Sequence, residues 1–190
     1  MMPRYPRVTQ ILAATGLTVD FSTIDQLVLA AAQERGSAVH EAILSEHYGF
    51  DFDLAPEWAP YMDAYRKFAA ETSHVPLVSE YEVVSRRWKV IGHLDRMGLL
   101  TLERFTGHRV LIDFKTGGAQ GVEVQLAAYV SLYNEMHPKE PVTRAAAVAL
   151  RRDGTYRIHA VDVKAPMAHG FTPTQVWHAA VTLWWARDAR

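Results

Sequence analysis

The run Leu111-Ile112-Asp113-Phe114-Lys115-Thr116-Gly117 constrains this chain more than any other stretch. It is apolar, it carries an acid and a base two residues apart, and it breaks at glycine, so it reads as a strand with a defined end. Alternation along a strand puts Asp113 and Lys115 on one face and Ile112 and Phe114 on the other. A carboxylate holds a hard divalent cation by oxygen. An ammonium beside it orients water or offsets charge developing on a phosphate. Taken alone the pair reads as a strand-end ion pair, so its neighbours decide.

Three other segments bear on it. Ile91-Gly92-His93-Leu94-Asp95-Arg96 places a second carboxylate at the end of another predicted strand. Arg35-Gly36-Ser37-Ala38-Val39-His40 supplies a histidine on a predicted helix. Gln125-Leu126-Ala127-Ala128-Tyr129 sets a glutamine and a tyrosine four apart, hence on one helical face.

Around these segments the periodicity predicts helices over 8–14, over 23–47 (one helix, or two joined near Gly36), over 57–71 and over 122–136. Residues 48–56 read as a loop. Strands are predicted at 77–84, 88–95 and 109–115, with a turn near Arg86 and a looser connection at Thr106-Gly107-His108. A hairpin joins 145–150 to 156–163 across Asp153-Gly154, a favoured turn dipeptide. Thr172 before Pro173 reads as the cap of a last helix through Trp177 and Trp184. Trp177, Trp184 and Trp185 are expected to pack that helix or a subunit interface. The order gives an α/β chain: a central mixed β-sheet flanked by α-helices. It reads as one domain over 1–190, with a helical part at 1–72, a sheet core at 73–165 containing a helix at 119–136, and a C-terminal helix at 172–188.

Composition narrows the chemistry. With 49% hydrophobic and 22% charged residues the chain is globular rather than disordered. A net charge of −1 advertises no global basicity, although a local cationic groove suffices for nucleic acid. There are no cysteines, which excludes a disulfide framework, a thiol nucleophile, a cysteine zinc site and an iron–sulfur cluster. No signal architecture or membrane-length apolar run is present, so a soluble, cytoplasmic protein without membrane partners is expected.

The order His, Gly-x-x-Asp, Asp-x-Lys, Gln-x-x-x-Tyr resembles the PD-(D/E)XK nuclease superfamily. More narrowly it resembles the RecB-type exonuclease branch, including its small, free-standing, phage-encoded members, here without the branch's iron–sulfur cluster. The resemblance runs from about Val8 to Tyr129. It implies a restriction-endonuclease-like core and a divalent-metal-dependent DNA nuclease, with an exonuclease of recombination, repair or phage DNA metabolism favoured over an endonuclease. It implies one or two Mg²⁺ or Mn²⁺ ions held by His40, Asp95, Asp113 and the backbone carbonyl of Phe114, with Lys115 positioning the attacking water or stabilising the transition state. Glu80 fits the family's acid on the strand before Asp95, although Glu82, two residues on, would share its face. Gln125 and Tyr129 are implied at the nucleic acid near the cut. A recombination or helicase partner or a homo-oligomer fits the same family.

Two basic turns bear on DNA contact, single- or double-stranded. Arg86, Arg87 and Lys89 cluster around Trp88 at one hairpin tip, and Arg151-Arg152 sits at the other. The alternative reading is a catalytically inactive nucleic-acid-binding or interaction module on the same fold. Its sign would be a missing acid or lysine, and Asp95, Asp113 and Lys115 are all present.

Overall fold

A computed structural model describes residues 5–18, 24–118 and 120–188. The elements are α1 (Val8–Ala14), α2 (Gln26–Tyr48), α3 (Ala59–Glu71), β1 (Val75–Ser85), β2 (Val90–Leu99), β3 (Val110–Lys115), α4 (Val122–Met136), β4 (Arg144–Leu150), β5 (Tyr156–Asp162) and α5 (Pro173–Asp188). One five-stranded sheet runs in the order β1-β2-β3-β4-β5. β1, β2 and β3 pair antiparallel, β3 and β4 pair parallel with α4 as the crossover, and β4 and β5 form an antiparallel hairpin. This is an α/β fold with a mixed sheet flanked by helices, compatible with a restriction-endonuclease-like core.

Each face of the sheet carries its own apolar layer. On one face α1, α4 and α5 bury Ile11, Leu12, Leu126, Tyr129, Leu132 and Trp177 against Leu94, Met97 and Leu111. On the other, α2 and α3 bury Val39, Ile43, Met62 and Phe68 against Val110, Ile112 and Phe114. β3 therefore lies at the centre of the sheet, apolar on both faces until Asp113, which reads directly from its near-continuous hydrophobic run. Trp184 and Trp185 pack on the first layer, and the Trp185 indole Nε1 donates to the Trp88 carbonyl at 2.7 Å.

Local chemistry sets the element ends. α2 is one unbroken helix through Gly36, and the Asp25 carboxylate caps it by accepting from Leu27 N at 2.8 Å and Val28 N at 3.4 Å. Thr23, the predicted start, lies outside the described residues, as does residue 119, the predicted start of the helix at 119–136. At α5 the Thr172 hydroxyl accepts from Gln175 N at 3.1 Å while Thr172 N donates to the Gln175 amide oxygen at 2.8 Å, a reciprocal cap. Asn134 holds the exit of α4 to the entry of β4, bonding both N and O of Val142 at 2.7 and 2.8 Å. A 3₁₀ turn, Glu103–Phe105, occupies the connection predicted to be irregular.

Two strands depart from their predicted bounds. β1 and β2 are longer than 77–84 and 88–95, and residues 86–89 form the turn, with Trp88 in it. Asp95 is therefore in the middle of β2 and not at its end. Alternation also breaks there. Val78 and Tyr81 pack on the same layer although three residues apart, and so do Leu94 and Met97. The β1–β2 ladder passes from Ser79↔Arg96 to Tyr81↔Leu94, leaving Glu80 and Asp95 outside it. Glu80 has φ of 46°, a conformation that L-residues adopt at a cost of order 1 kcal/mol or more. Such paired irregularities re-aim side chains, and they cluster beside functional sites. Glu82 does not join Glu80 beside His40 and Asp95: its carboxylate lies 3.4 Å from Nε2 of His93, its partner on β2.

Candidate active site

β2 and β3 separate at the same level. Their ladder runs Gly98↔Val110, Met97↔Leu111, Arg96↔Ile112 and stops, so Asp95 and Asp113 stand opposite each other without backbone pairing. The Asp95 carboxylate takes over the lost ladder bond, its Oδ2 accepting from Phe114 N at 2.8 Å. The gap between the strands is thus closed by a side chain and not by the sheet.

His40 enters this gap from α2. Its Nε2–H donates to the Phe114 carbonyl at 2.9 Å, and its Nδ1 lies 3.5 Å from Asp95 Oδ1. Glu80 completes a trio: one ligand atom each of His40, Glu80 and Asp95 lie within 4.8 Å of one another. Ligand atoms around a Mg²⁺ at 2.0–2.1 Å lie up to about 4.2 Å apart, and the 3.5 Å between His40 Nδ1 and Asp95 Oδ1 falls within that span. Carboxylate oxygens, one imidazole and a carbonyl with a spare lone pair are a donor set suited to Mg²⁺ or Mn²⁺. The Phe114 carbonyl, expected as a metal ligand, is engaged here in orienting His40.

Asp113 is outside the trio and buried, its side chain 4% exposed, whereas the sequence placed it at an accessible strand end. Lys115 Nζ lies 3.1 Å from its Oδ1 and 2.8 Å from its Oδ2. The Gln125 amide nitrogen donates to Asp113 Oδ1 at 3.3 Å and to the Tyr129 hydroxyl at 3.1 Å, and the Gln125 oxygen accepts from Lys115 Nζ at 3.4 Å. Gln125 therefore ties the α4 tyrosine to the β3 pair, which is what the four-residue spacing on α4 accomplishes.

The electrostatics follow from two carboxylates sharing a poorly solvated gap. Burial, then the charge of Asp113, push the Asp95 carboxyl up to about 7; His40, Lys115 and the Phe114 N–H oppose this without cancelling it. Burial pulls the Lys115 ammonium down, but Asp113 and Asp95 more than offset it, so its pKa lies above the ordinary lysine value. The Tyr129 phenol is raised by burial and by Asp113, and stays protonated at neutral pH.

Two features join motifs that look independent in the sequence. A Cβ on Gly92 would meet the Tyr129 ring at 2.9 Å and Val8 at 3.3 Å, so the glycine of Gly-x-x-Asp is the seat of the Tyr129 ring. Gly92→Ala is therefore expected to destabilise the protein by about 1–3 kcal/mol through overpacking, measured as a lower urea midpoint; an unchanged midpoint would show that the ring has room. Arg35, on α2 one turn before Val39, stacks its guanidinium over Tyr61 at 5.6 Å and reaches toward Gly117 beyond Lys115. In the sequence it stands out only as part of a motif.

The predicted nucleic-acid residues Arg86, Arg87 and Lys89 lie apart from the trio, roughly 20 Å along β1 from Glu80 at 3.3 Å per residue. The N–H groups of Arg86 and Arg87 donate to Glu135 at 2.9 and 3.1 Å, and the Arg87 guanidinium covers Trp88 at 5.1 Å. Among the described residues no helix is long and apolar enough to cross a membrane.

No family model matches the sequence, and no curated protein does. Among solved structures, this chain is similar to LHK-Exo, a crystal structure in complex with dAMP, at 10% identity and a TM-score of 0.42, over 96% of this chain and 87% of that one. At that distance the likeness carries no weight for activity.

Proposed function

We infer that this chain is a divalent-metal-dependent DNA nuclease that hydrolyses phosphodiester bonds, working as an exonuclease in recombination, repair or phage DNA metabolism. The observation that carries the reading is convergence. His40 from α2, Glu80 and Asp95 from the two irregular strands, Asp113 and Lys115 from β3 and Gln125 from α4 meet at one break in the sheet. Six polar side chains brought to one point, from exposed Glu80 to buried Asp113, at the cost of ladder bonds and a positive φ is a poor solution for stability and a good one for a reaction centre.

His40, Glu80, Asp95 and, after release from Lys115, Asp113 are the residues that would hold Mg²⁺ or Mn²⁺. When bound, the ion supplies Lewis-acid activation of water and of the phosphoryl oxygen. The chain's own part is then defined. The Phe114 carbonyl orients the His40 ring, so that Nδ1 faces Asp95. Lys115, protonated, stabilises charge developing on the non-bridging oxygens and orients the attacking water. Gln125 holds Asp113 and Lys115 in register with Tyr129, which is buried and acts on the site through that amide.

The test is incubation of end-labelled single- and double-stranded DNA with the protein in Mg²⁺ or Mn²⁺, with EDTA as control. Shortening of the labelled strand in metal and its absence in EDTA are expected, and the product ladder gives polarity and mode. Intact substrates under every metal and strand condition would overturn the assignment.

A further inference from the structure

The rows of the sheet continue the candidate site beyond β3. Asp113 pairs with Ala147, which pairs with His159, and Lys115 pairs with Ala149, which pairs with Arg157. Directly paired residues share a face, so Arg157 stands on the Lys115 side of the sheet two strands over, about 10 Å away at ~4.8 Å per strand. The residue between them is alanine, and no side chain rises from β4 to interrupt the strip.

Lys115 at one end of that strip is paired with Asp113, and Arg157 at the other end is uncommitted. Arg66, Arg109 and Arg144 are each paired with an acid, Glu46, Glu140 and Asp162 respectively. Arg157 is exposed, and among the described residues no carboxylate lies within ion-pair distance of it. Glu123 is held by His159 Nε2 at 2.9 Å, and Asp153 is turned onto Thr155, accepting from its N at 3.0 Å and its Oγ1 at 2.6 Å. Exposed Arg151 and Arg152 extend the same sign at the β4–β5 turn, which lies at the Lys115 end of β3 because β3 and β4 are parallel.

We propose that the strip Lys115–Ala149–Arg157 carries the sugar-phosphate backbone of the strand being cut, with Arg157 contacting a backbone phosphate about 10 Å from Lys115. This rests on the nuclease reading and adds to it a direction: the substrate leaves across β4 and β5. Charge complementarity to a polyanion selects the ligand, and the bare floor favours a backbone laid flat over a base inserted edgewise.

The experiment is fluorescence anisotropy with a labelled DNA oligonucleotide in EDTA, paired with steady-state cleavage in Mg²⁺ or Mn²⁺. Arg157→Glu is expected to weaken binding roughly tenfold and lower the slope of log K against log salt by about one. Its KM rises while kcat stays within about twofold. Arg157→Lys restores most of the loss, and Arg104→Glu, an equally exposed cation beyond the opposite end of β3, changes little. Wild-type cleavage with Arg157→Glu indistinguishable from Arg104→Glu overturns the path and leaves the nuclease reading standing. Wild-type protein that neither binds nor cleaves DNA overturns both.

Discussion

Lys115→Ala is expected to lower metal-dependent DNA cleavage by a factor of about 10²–10³, the usual loss when one preorganised charge-stabilising donor is removed. The side chain is only 25% exposed, and its ammonium is held charged by Asp113 and Asp95 against the opposing effect of burial. A charge fixed in a poorly solvated gap acts on a phosphate far more strongly than the same charge in water. Lys115→Met tests the charge with less loss of packing. Single-turnover rates at saturating metal are the measurement, with circular dichroism to confirm the fold; a rate within a few-fold of wild type would remove Lys115 from the chemistry. Asp113 is better probed by Asp113→Asn than by alanine. It is buried against Lys115 and Gln125, so truncation leaves two polar partners unsatisfied and confounds folding with function. His40→Ala should be milder, raising the metal concentration needed for half-maximal rate.

Much of this arrangement was legible in the sequence because it depends on short-range periodicity. The 112/114 against 113/115 alternation held, since Ile112 and Phe114 face the α2–α3 layer while Asp113 meets α4. The Gln125–Tyr129 spacing held for the same reason, a helical turn being a fixed length. What could not be read was the break in alternation at Glu80 and Asp95. A paired irregularity in two adjacent strands leaves each sequence looking like an ordinary alternating strand, so alternation could not choose between Glu80 and Glu82 and Asp95 read as a strand end. The one available signal was Gly92, whose missing side chain marks a close approach, and the sequence does not say that the approaching group is Tyr129. Ion pairing of surface arginines was equally invisible. Arg144 and Arg157 look alike in the sequence, and only the fold puts an acid beside the first.

Asp95→Asn is expected to abolish cleavage and yet stabilise the metal-free protein at alkaline pH. In the folded chain burial and Asp113 push the Asp95 carboxyl up to about 7, against about 4 for an exposed aspartate. The folded state therefore binds the proton more tightly than the unfolded one. The corresponding stability is complete below pH ~4 and is lost as the pH rises through about 7. Asparagine is neutral and nearly isosteric, and it keeps an oxygen for the Phe114 N–H. Asp95→Asn should match wild type near pH 4 in EDTA and exceed it by about 2–4 kcal/mol at pH 8. The upper figure is the full worth of moving a carboxyl from about 4 to about 7, and the lower one allows for solvent access to a side chain 15% exposed. His74, whose pKa burial and the Arg96 charge lower to about 4, works the other way, removing stability as pH falls below 6.5. It is common to both proteins and cancels in their difference. Urea midpoints of the two proteins across pH 4–8 measure that difference, and a difference that does not grow with pH would mean Asp95 is comfortable as a carboxylate. Adding Mn²⁺ at pH 8 should then raise the wild-type midpoint well above that of Asp95→Asn. An acid that costs the empty protein stability and returns it when a cation binds is placed for the cation, and a mutant that gains stability by losing the acid separates that role from a structural one.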